Sequence, residues 1–407
     1  MGHTLLALAF VLLMFPAVTQ IPANTGAGSA PAKIGAYYFD GWNPKASHLT
    51  ERLKTEFANR EPVWGWYDDT DKIMEQQIDF AANAGLSFWS FCWYWPEKGG
   101  PSSPLNNAMM LYLKAPNRSR LQFCLLVANH KGFRIGPKDW PAVSAQWIAL
   151  FKQPTYLTVD GKPLLIFFSP AELIKAFGTP EGVKAVLDQL RADAKTAGLP
   201  GVSIAACAAA VPQSVKVFGA PESVRAALDQ LRADAKTAGL PGVSIATRAA
   251  AVPQSDLEIL RACGFDVLTG YNYHEYPCAG QVTTTNKEQS FSSMISGHES
   301  IWNLFAERGE RPYIPVVTTG WDKRPWEAVD VSDAQREVCY SDRSPALVEH
   351  FIGKAIAWIK ANPTHATPEK LILLYAWNEN GEGGYLTPTK AEGSVYLDAV
   401  TKTLRAN

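Results

Sequence analysis

Short and almost continuous hydrophobic segments recur along the chain, and most are separated by segments of helical periodicity. Because they are apolar throughout and do not alternate with polar residues, they are typical of parallel strands buried on both faces of a sheet. The predicted strands are 34–39, 86–94, 121–127, 164–168, 202–206, 243–246, 265–271, 314–318 and 371–375. Alternating strands and helices over this length predict an α/β protein, and a closed (β/α)8 barrel is its natural form.

The segments between the strands carry signals for helix ends. Thr179 and Ser344 are each followed by proline, which is favoured at the first helical position after a capping hydroxyl. Residues 69–70 are predicted to cap a helix that ends at Gly85. A further helix is predicted at 142–152 from its apolar periodicity.

A duplicated segment complicates the number of strands. Residues 177–214 recur at 218–255 with 32 of 38 positions identical, and each copy contains one predicted helix and one predicted strand. An eight-stranded barrel has no place for a ninth strand, because strand number and shear are coupled. Arg248 stands where the first copy has Cys207, and an arginine is costly in a central strand. We therefore expect the second copy to lie outside the closed sheet of a single domain, residues 33–407; a misfolded duplicate is the alternative.

Charge and composition limit the partners of the chain. Lysine and arginine (38) balance aspartate and glutamate (39), which argues against a main role in binding nucleic acid or an anionic membrane. Apolar residues make up 47% of the chain and charged residues 19%, so the chain is not disordered and has enough apolar residues for a large core. The sequence leaves the oligomeric state open.

Residues 1–20 have the pattern of a signal peptide. An apolar run from Leu5 to Phe15 ends at a proline and small residues, and it is too short to span a bilayer. Residues 21–32 are a predicted linker, and no later segment has transmembrane length. We expect a secreted or periplasmic protein without an integral membrane segment after signal cleavage; the alternative is a buried N-terminal strand.

No metal or other cofactor is predicted. The six cysteines lack CxxC spacing and form no zinc-finger spacing with histidine. A disulfide between Cys263 and Cys278 stays open. The acidic run 67–71 resembles the metal-binding signature of nucleotide-sugar transferases, but it precedes a helix, and capping of that helix is the favoured interpretation.

Aromatic, amide and carboxylate residues follow the predicted strands. A barrel builds its active site at the carboxyl ends of its strands. Aromatic faces pack on the C–H faces of sugars, and amides and carboxylates bond to ring hydroxyls. The predicted substrate-binding residues are Tyr38, Asp40, Trp93, Trp95, Asn129, His130, Tyr273, Trp321, Asp322, Trp377 and Asn378. A hydrogen-bonded rim histidine is an equal alternative for His130.

The last predicted strand runs into a segment, 377–384, that contains Glu379 and Glu382 among glycines. Glycines permit a tight turn, in which two carboxylates three positions apart can face one cavity. Two carboxyl groups flanking a glycosidic bond are the minimal apparatus for its hydrolysis. The alternative is a solvated acidic turn, but its position after a buried strand favours catalysis.

Five segments point to a known family: 34–42 (IGAYYFDGW), 61–95, 156–169, 315–321 (PVVTTGW) and 375–388 (YAWNENGEGGYLTP). They resemble glycoside hydrolase family 99-like proteins, which include the WbsX-type domains and, more distantly, endo-α-mannosidases. The resemblance implies a (β/α)8 TIM-type barrel. It also implies that Glu379 deprotonates the 2-hydroxyl of the sugar to give a 1,2-anhydro intermediate, while Glu382 serves as acid and then base.

The sequence therefore predicts an exported glycoside hydrolase that cleaves a glycosidic bond in a polysaccharide or glycan. Glu379 and Glu382 are its predicted acid/base pair, and a carbohydrate is its predicted partner. Two alternatives remain: a glycosyltransferase-like protein of polysaccharide assembly and a non-catalytic carbohydrate-binding protein. The apparent signal peptide argues against the first, because nucleotide-sugar donors are cytoplasmic.

Overall fold

Eight parallel strands form the main path of a nine-stranded sheet, at eight of the positions predicted from the hydrophobic pattern. The ninth is a short strand, Thr158–Val159, that pairs antiparallel with Lys162–Phe167. The computed structural model describes residues 31–42, 48–66, 69–98, 103–208, 254–275, 287–308, 311–328, 332 and 336–407. The strands are β1 (Lys33–Tyr38), β2 (Phe88–Trp93), β3 (Gln122–Val127), β4 (Lys162–Phe167), β5 (Ser203–Cys207), β6 (Val267–Thr269), β7 (Val316–Thr318) and β8 (Leu371–Tyr375).

The sheet is rolled into a barrel in which neighbouring strands follow one another along the chain. β1 lies between β2 and β8, with Ala36 opposite both Trp89 and Leu374. At the other end of the strand order, a parallel bridge between Leu268 and Tyr313 connects β6 to the segment that leads into β7. The predicted (β/α)8 architecture is confirmed, and the carboxyl ends of all eight strands lie at one edge of the barrel.

Helices connect the strands and cover the sheet. The hydroxyl groups of Thr70, Thr179 and Ser344 each accept a hydrogen bond from a backbone amide three residues further on, which confirms the predicted helix starts. Within the described ranges the helices are α1 (Glu51–Thr55), α2 (Asp71–Asn83), α3 (Asn107–Lys114), α4 (Trp140–Phe151), α5 (Pro170–Phe177), α6 (Pro180–Thr196), α7 (Gln254–Ala262), α8 (Phe291–Arg308), α9 (Pro345–Ala361) and α10 (Val395–Ala406).

The first copy of the duplicated segment supplies α6 and β5. One face of α6 is buried through Val183, Leu187 and Leu190, the spacing expected for a helix that packs on a sheet. β5 pairs directly with β6, with Ala205 opposite Val267, so no strand lies between them. The strand predicted at 243–246 and the predicted placement of the second copy lie outside the described residues.

Several predictions for the termini and the cysteines fall on residues that the structure does not describe. The predicted signal peptide and nearly all of the predicted linker are among them. Cys263 is a buried free thiol, and Cys278 lies outside the described residues. In the part of the chain that is described, no helix is both long and apolar enough to cross a membrane.

A fully buried histidine on α8 joins that helix to the barrel. His298 donates from Nδ1 to the Met294 carbonyl oxygen over 2.9 Å, and its Nε2 lies 2.8 Å from the Thr318 hydroxyl oxygen at the end of β7. Burial lowers the pKa of His298 to about 3. The ring is therefore neutral at physiological pH and stabilises the fold in that form.

Acid is expected to destabilise the protein partly through His298. Between its folded pKa of about 3 and the usual value of 6.5, the unfolded chain binds more protons, so the free energy of unfolding falls as the pH is lowered through this window. Urea unfolding across this pH range should show that the free energy of unfolding falls less steeply with decreasing pH in His298→Gln than in the wild type. His350→Gln, at an exposed histidine, should keep the wild-type slope; equal slopes in all three proteins would contradict this account.

Candidate active site

β8 leads directly into the turn that carries the two glutamates, residues 378–385, here termed the acidic turn. Asn378–Glu379 pairs antiparallel with Gly384–Tyr385 around a 3-10 turn, Asn380–Glu382. Gly383 has a φ of +78°, a left-handed conformation that favours glycine. A Cβ atom on Gly384 would lie 2.5 Å from a ring carbon of Tyr375. The glycines predicted to allow a tight turn therefore let it fold closely over the end of β8.

Each glutamate side chain accepts a hydrogen bond from a tyrosine. Tyr271 donates its hydroxyl to Glu379 Oε1 over 2.6 Å, and Tyr375 donates to Glu382 Oε2. The two tyrosine rings contact each other edge to face, with centroids 4.9 Å apart. Glu379 Oε2 is buried and has no hydrogen-bond partner among the described residues. Because an unsatisfied buried acceptor is costly, this oxygen is available to a bound polar group.

Burial raises the pKa of both carboxyl groups. Glu379 is 4% exposed, and its pKa is raised well above the usual range by burial and then by the negative charge of Glu382. Glu382 is half-buried, and burial raises its pKa to about 7. The tyrosine hydroxyls and the Lys323 ammonium favour the charged forms and oppose this rise. Burial and mutual repulsion therefore disfavour the state in which both carboxyl groups are ionised.

Tyr271→Phe is expected to move the acid limb of the kcat/KM profile to higher pH. The variant loses the hydrogen bond that stabilises the ionised form of Glu379, so the pair holds its protons to higher pH. The profile is measured across the acid and neutral range with a substrate that the protein turns over. Tyr112→Phe, which removes a buried hydroxyl bonded to the Leu121 carbonyl, is the matched control and should keep the wild-type limb. An unshifted limb in Tyr271→Phe would rule out this role.

A buried ion pair anchors the backbone of the acidic turn. Arg60 and Asp322 pair through side chains that are each 8% exposed, and Arg324 binds Asp322 Oδ1 over 2.7 Å. The Arg60 guanidinium also donates to the Asn380 carbonyl oxygen over 3.4 Å. The Asp322 amide donates to the Glu382 carbonyl oxygen over 2.6 Å. Asp322, predicted to bind substrate, is thus engaged by two arginines and holds the turn that carries Glu382.

Trp321, also a predicted substrate contact, stands next to the glutamates. Its ring centroid lies 5.9 Å from that of Tyr375, the tyrosine bonded to Glu382. The ring of His274 stacks on Trp321 with centroids 3.6 Å apart. Burial lowers the pKa of His274 to about 3, so the stacked ring is neutral. Trp321 Nε1 is buried without a hydrogen-bond partner in the described part of the chain.

Three predicted residues lie where β1 meets the acidic turn. Asn378 accepts from the Phe39 amide over 2.8 Å and donates to the Phe39 carbonyl oxygen over 2.7 Å, which fixes the turn to β1. The Tyr38 hydroxyl donates to Gln77 Oε1 over 3.0 Å. Asp40 Oδ2 accepts from a backbone amide of α3 over 2.6 Å. All three side chains are buried, so they shape this side of the barrel edge.

Aromatic residues at the end of β2 and after β3 lie at the same edge of the barrel. Trp93 and Trp95 stack on each other with centroids 6.1 Å apart, and both are buried. His130 is half-buried and packs edge to face on Tyr94 and Phe133, at centroid distances of 6.1 and 5.2 Å. Of these predicted residues, His130 has the most exposed surface.

The remaining predicted ligands bond to other protein groups. Asn129 exchanges two hydrogen bonds with the Ser169 backbone, at 2.7 and 2.9 Å. The indole of Trp377 donates to Gln77 Oε1 over 2.7 Å and is fully buried. The hydroxyl of Tyr273 lies 2.8 Å from that of Tyr313. The structure thus brings Trp321 close to the glutamates and places these three within the barrel wall.

The sequence analysis missed three contributors to the site. Tyr375 ends β8 and bonds to Glu382, which its place just before the motif could have suggested. Arg60 is separated from Asn380 by 320 positions, so no spacing rule could reveal it. Asp69, expected at a helix cap, is instead half-buried close to Asp40. Burial and the Asp40 charge raise the pKa of Asp69 well above its usual range.

No group of three or more His, Cys, Asp or Glu side chains within the described ranges is arranged to hold a metal ion. The acidic run before α2 is partly described. There Thr70 caps the helix and Asp71 lies in its first turn, where a carboxylate interacts favourably with the helix dipole.

Comparisons with known proteins identify a family and similar structures. The family described as "Glycosyltransferase WbsX" matches residues 57–400. A "Glycoside hydrolase-like protein" has a similar structure, with a TM-score of 0.58 and 14% identity over 92% of this chain and 94% of that chain. The GH99 endo-alpha-mannosidase from Bacteroides thetaiotaomicron has a TM-score of 0.55 and 15% identity over 91% of this chain and 95% of that chain. No curated protein sequence matches the chain.

The structural similarity at these identities is a similarity of fold, and it agrees with the nearly closed parallel barrel described above. The family match covers most of the barrel and includes the acidic turn with both glutamates. The chain therefore belongs to the WbsX family of GH99-like proteins.

Proposed function

We propose that this protein is a glycoside hydrolase that cleaves a glycosidic bond in a polysaccharide or glycan. The observation that carries the proposal is the pair Glu379 and Glu382, which have raised pKa values and are bonded to two contacting tyrosines, Tyr271 and Tyr375. Hydrolysis of a glycosidic bond needs one protonated and one ionised carboxyl group at the same bond. Membership of the WbsX family supports a glycan as the substrate.

The two carboxyl groups take different roles in this proposal. Glu382, half-buried at the turn, protonates the leaving oxygen and then activates water. Glu379 acts as base on the 2-hydroxyl of the sugar, the route that the family resemblance implies. In the free protein burial and the charge of Glu382 favour the protonated form of Glu379, which is the more deeply buried group. A 2-hydroxyl donating to the unpartnered Glu379 Oε2 would stabilise the ionised form and shift the proton to Glu382.

Among the predicted ligands, Trp321 is assigned the first contact with the sugar. It touches the tyrosine that holds Glu382, and its indole N–H has no partner in the described part of the chain. A sugar hydroxyl that accepts from this N–H would satisfy a buried donor. Asn378, Trp377 and Asn129 already bond to protein groups, and we assign them to shaping the site.

The description of the family favours a second candidate, transfer of a glycosyl group to a sugar acceptor. The two candidates differ in their reactants. A hydrolase releases reducing ends in water alone, whereas a transferase consumes a nucleotide-sugar donor. A carbohydrate-binding protein without turnover would bind glycans and release no product.

The test is a glycan screen with product analysis. Wild-type protein is incubated with mannans, glucans, galactans and uronic-acid polysaccharides, and new reducing ends are measured. At least one substrate should yield products with the wild type and with Glu258→Gln, an exposed control on α7, while Glu382→Gln should yield almost none. Glycan binding without any product would refute the hydrolase proposal, as would transfer from a nucleotide sugar as the sole activity.

We further propose that the enzyme works outside the cytoplasm, on the basis of the signal-peptide pattern in residues 1–20. Expression of the full chain in a bacterial host, followed by fractionation and N-terminal sequencing, tests this. Processed protein in the periplasm or medium is the expected result, and unprocessed protein confined to the cytoplasm would contradict it.

A further inference from the structure

A cavity lies beside the acidic turn, on the side of Gly383. Its volume is about 310 Å³, and its lining is rich in arginine. Arg60, Arg324 and Arg343 contribute three positive charges, while Asp322 and Glu392 contribute two negative charges, so the formal charge of the lining is +1. A cavity with an excess of arginine favours an anion.

Arg343 carries the unbalanced positive charge. Arg60 and Arg324 both bond to the carboxylate of Asp322. Arg343 instead donates to the carbonyl oxygens of Thr319, over 2.6 Å, and Tyr385. No described carboxylate lies within 4.0 Å of its guanidinium nitrogens. The second terminal nitrogen of Arg343, Nη1, makes no hydrogen bond to a described residue and is left for a ligand.

The guanidinium of Arg343 is held rigidly. It lies 3.5 Å from the ring centroid of Tyr396 and 4.2 Å from that of Tyr385. The hydroxyls of Tyr396 and Tyr385 donate to the Glu392 carboxylate over 3.4 and 2.8 Å, respectively, so this carboxylate is hydrogen-bonded to the two tyrosines. Ser341, on the exposed rim, adds a hydroxyl that has no hydrogen-bond partner within the described ranges. A fixed planar guanidinium beside a free hydroxyl suits a carboxylate, sulfate or phosphate group.

The cavity adjoins the catalytic pair. Gly383 lines it and directly follows Glu382 in the acidic turn. Trp321 also lines it and contacts Tyr375, which bonds to Glu382. A saccharide bound at the acidic turn could therefore extend a substituent into the arginine-lined cavity.

We propose that this cavity binds an anionic substituent, a carboxylate or an ester of sulfate or phosphate, on a sugar residue next to the cleaved bond. The inference rests on the proposed function and makes the substrate an acidic glycan. Arg343 and Ser341 discriminate between acidic and neutral glycans, and they take no part in the bond-breaking step.

Calorimetric binding to Glu382→Gln protein tests the proposal without interference from turnover. The probes are matched tetrasaccharides of mannose and mannuronate, galactose and galacturonate, and glucose and glucuronate, together with inorganic sulfate alone. At least one acidic member should bind about tenfold more tightly than its neutral partner, the size expected for one charge-assisted hydrogen bond. Added salt should reduce this preference.

Two further variants in the Glu382→Gln background test whether the cavity causes the preference for acidic over neutral saccharides. Ser341→Asp adds a negative charge at the rim without removing an internal bond, and it should abolish the preference, as should Arg343→Gln. Ser292→Asp makes the same charge change at an exposed serine outside the cavity lining and should leave the preference intact.

Three results would overturn the inference: equal affinity for acidic and neutral partners, binding of none of the saccharides, or sulfate alone binding as tightly as the acidic saccharides. The third would mean a site for a free anion. In each of these three cases, release of reducing ends from neutral glycans by the wild type would still support the hydrolase proposal. Failure of the anion-binding inference can therefore be distinguished from failure of the proposed function.

Discussion

Glu382→Gln is expected to lower turnover about 10²–10⁴-fold, the usual contribution of general acid–base assistance. The amide keeps the size of the side chain and its place next to Tyr375, but it has no acidic proton to give to the leaving oxygen. Glu379→Gln should lower turnover by a similar factor, because it removes the base. The measurement is kcat on the best substrate of the glycan screen.

The matched control is Glu258→Gln, in which an exposed glutamate on α7 loses the same charge. Its kcat should equal that of the wild type. A substrate with a highly acidic leaving group needs little protonation, so it should recover much of the activity of Glu382→Gln. Wild-type rates in both active-site variants would refute the assignment of the pair.

Arg60→Met is expected to lower the free energy of unfolding by about 3 kcal/mol. Removing one partner of a buried ion pair costs roughly 3–5 kcal/mol, because the other charge is left buried. The lower end applies here, since Arg324 still binds Asp322 when Arg60 is gone. Urea unfolding of wild type and variant at neutral pH measures the difference.

Two comparisons isolate the ion pair from other effects of Arg60→Met. Lys402→Met breaks an exposed ion pair with Glu349 and should cost less than about 1 kcal/mol. Arg60→Met combined with Asp322→Leu removes both charges and should be less destabilised than the sum of the two single variants. Simple additivity would show that the pair is not coupled.

The hydrophobic pattern predicted the barrel well because its strands are buried on both faces. Such strands appear as continuous apolar segments, and residues 371–375 were predicted with the bounds that β8 has in the structure. The helix starts at Thr179 and Ser344 followed from local capping rules. These signals act within a few residues, so the sequence alone is sufficient to read them.

The site was predictable only where its chemistry is local in sequence. Glu379 and Glu382 could be proposed from the sequence because they stand together in one turn after a strand. The role of Asp322 was not found, because it depends on Arg60, which is 262 positions away. The bond from Tyr271 to Glu379 joins two strand ends 108 positions apart. Contacts of this kind arise only when the barrel closes and brings its carboxyl edges together.

The most direct test of the account is the structure of Glu382→Gln protein bound to an oligosaccharide substrate. We expect the side chains at positions 379 and 382 to lie within hydrogen-bond distance of the same sugar, with the 2-hydroxyl on Glu379 Oε2 and the glycosidic oxygen on the amide at 382. A saccharide bound elsewhere on the barrel, or at this edge with either side chain turned away from it, would contradict the central claim.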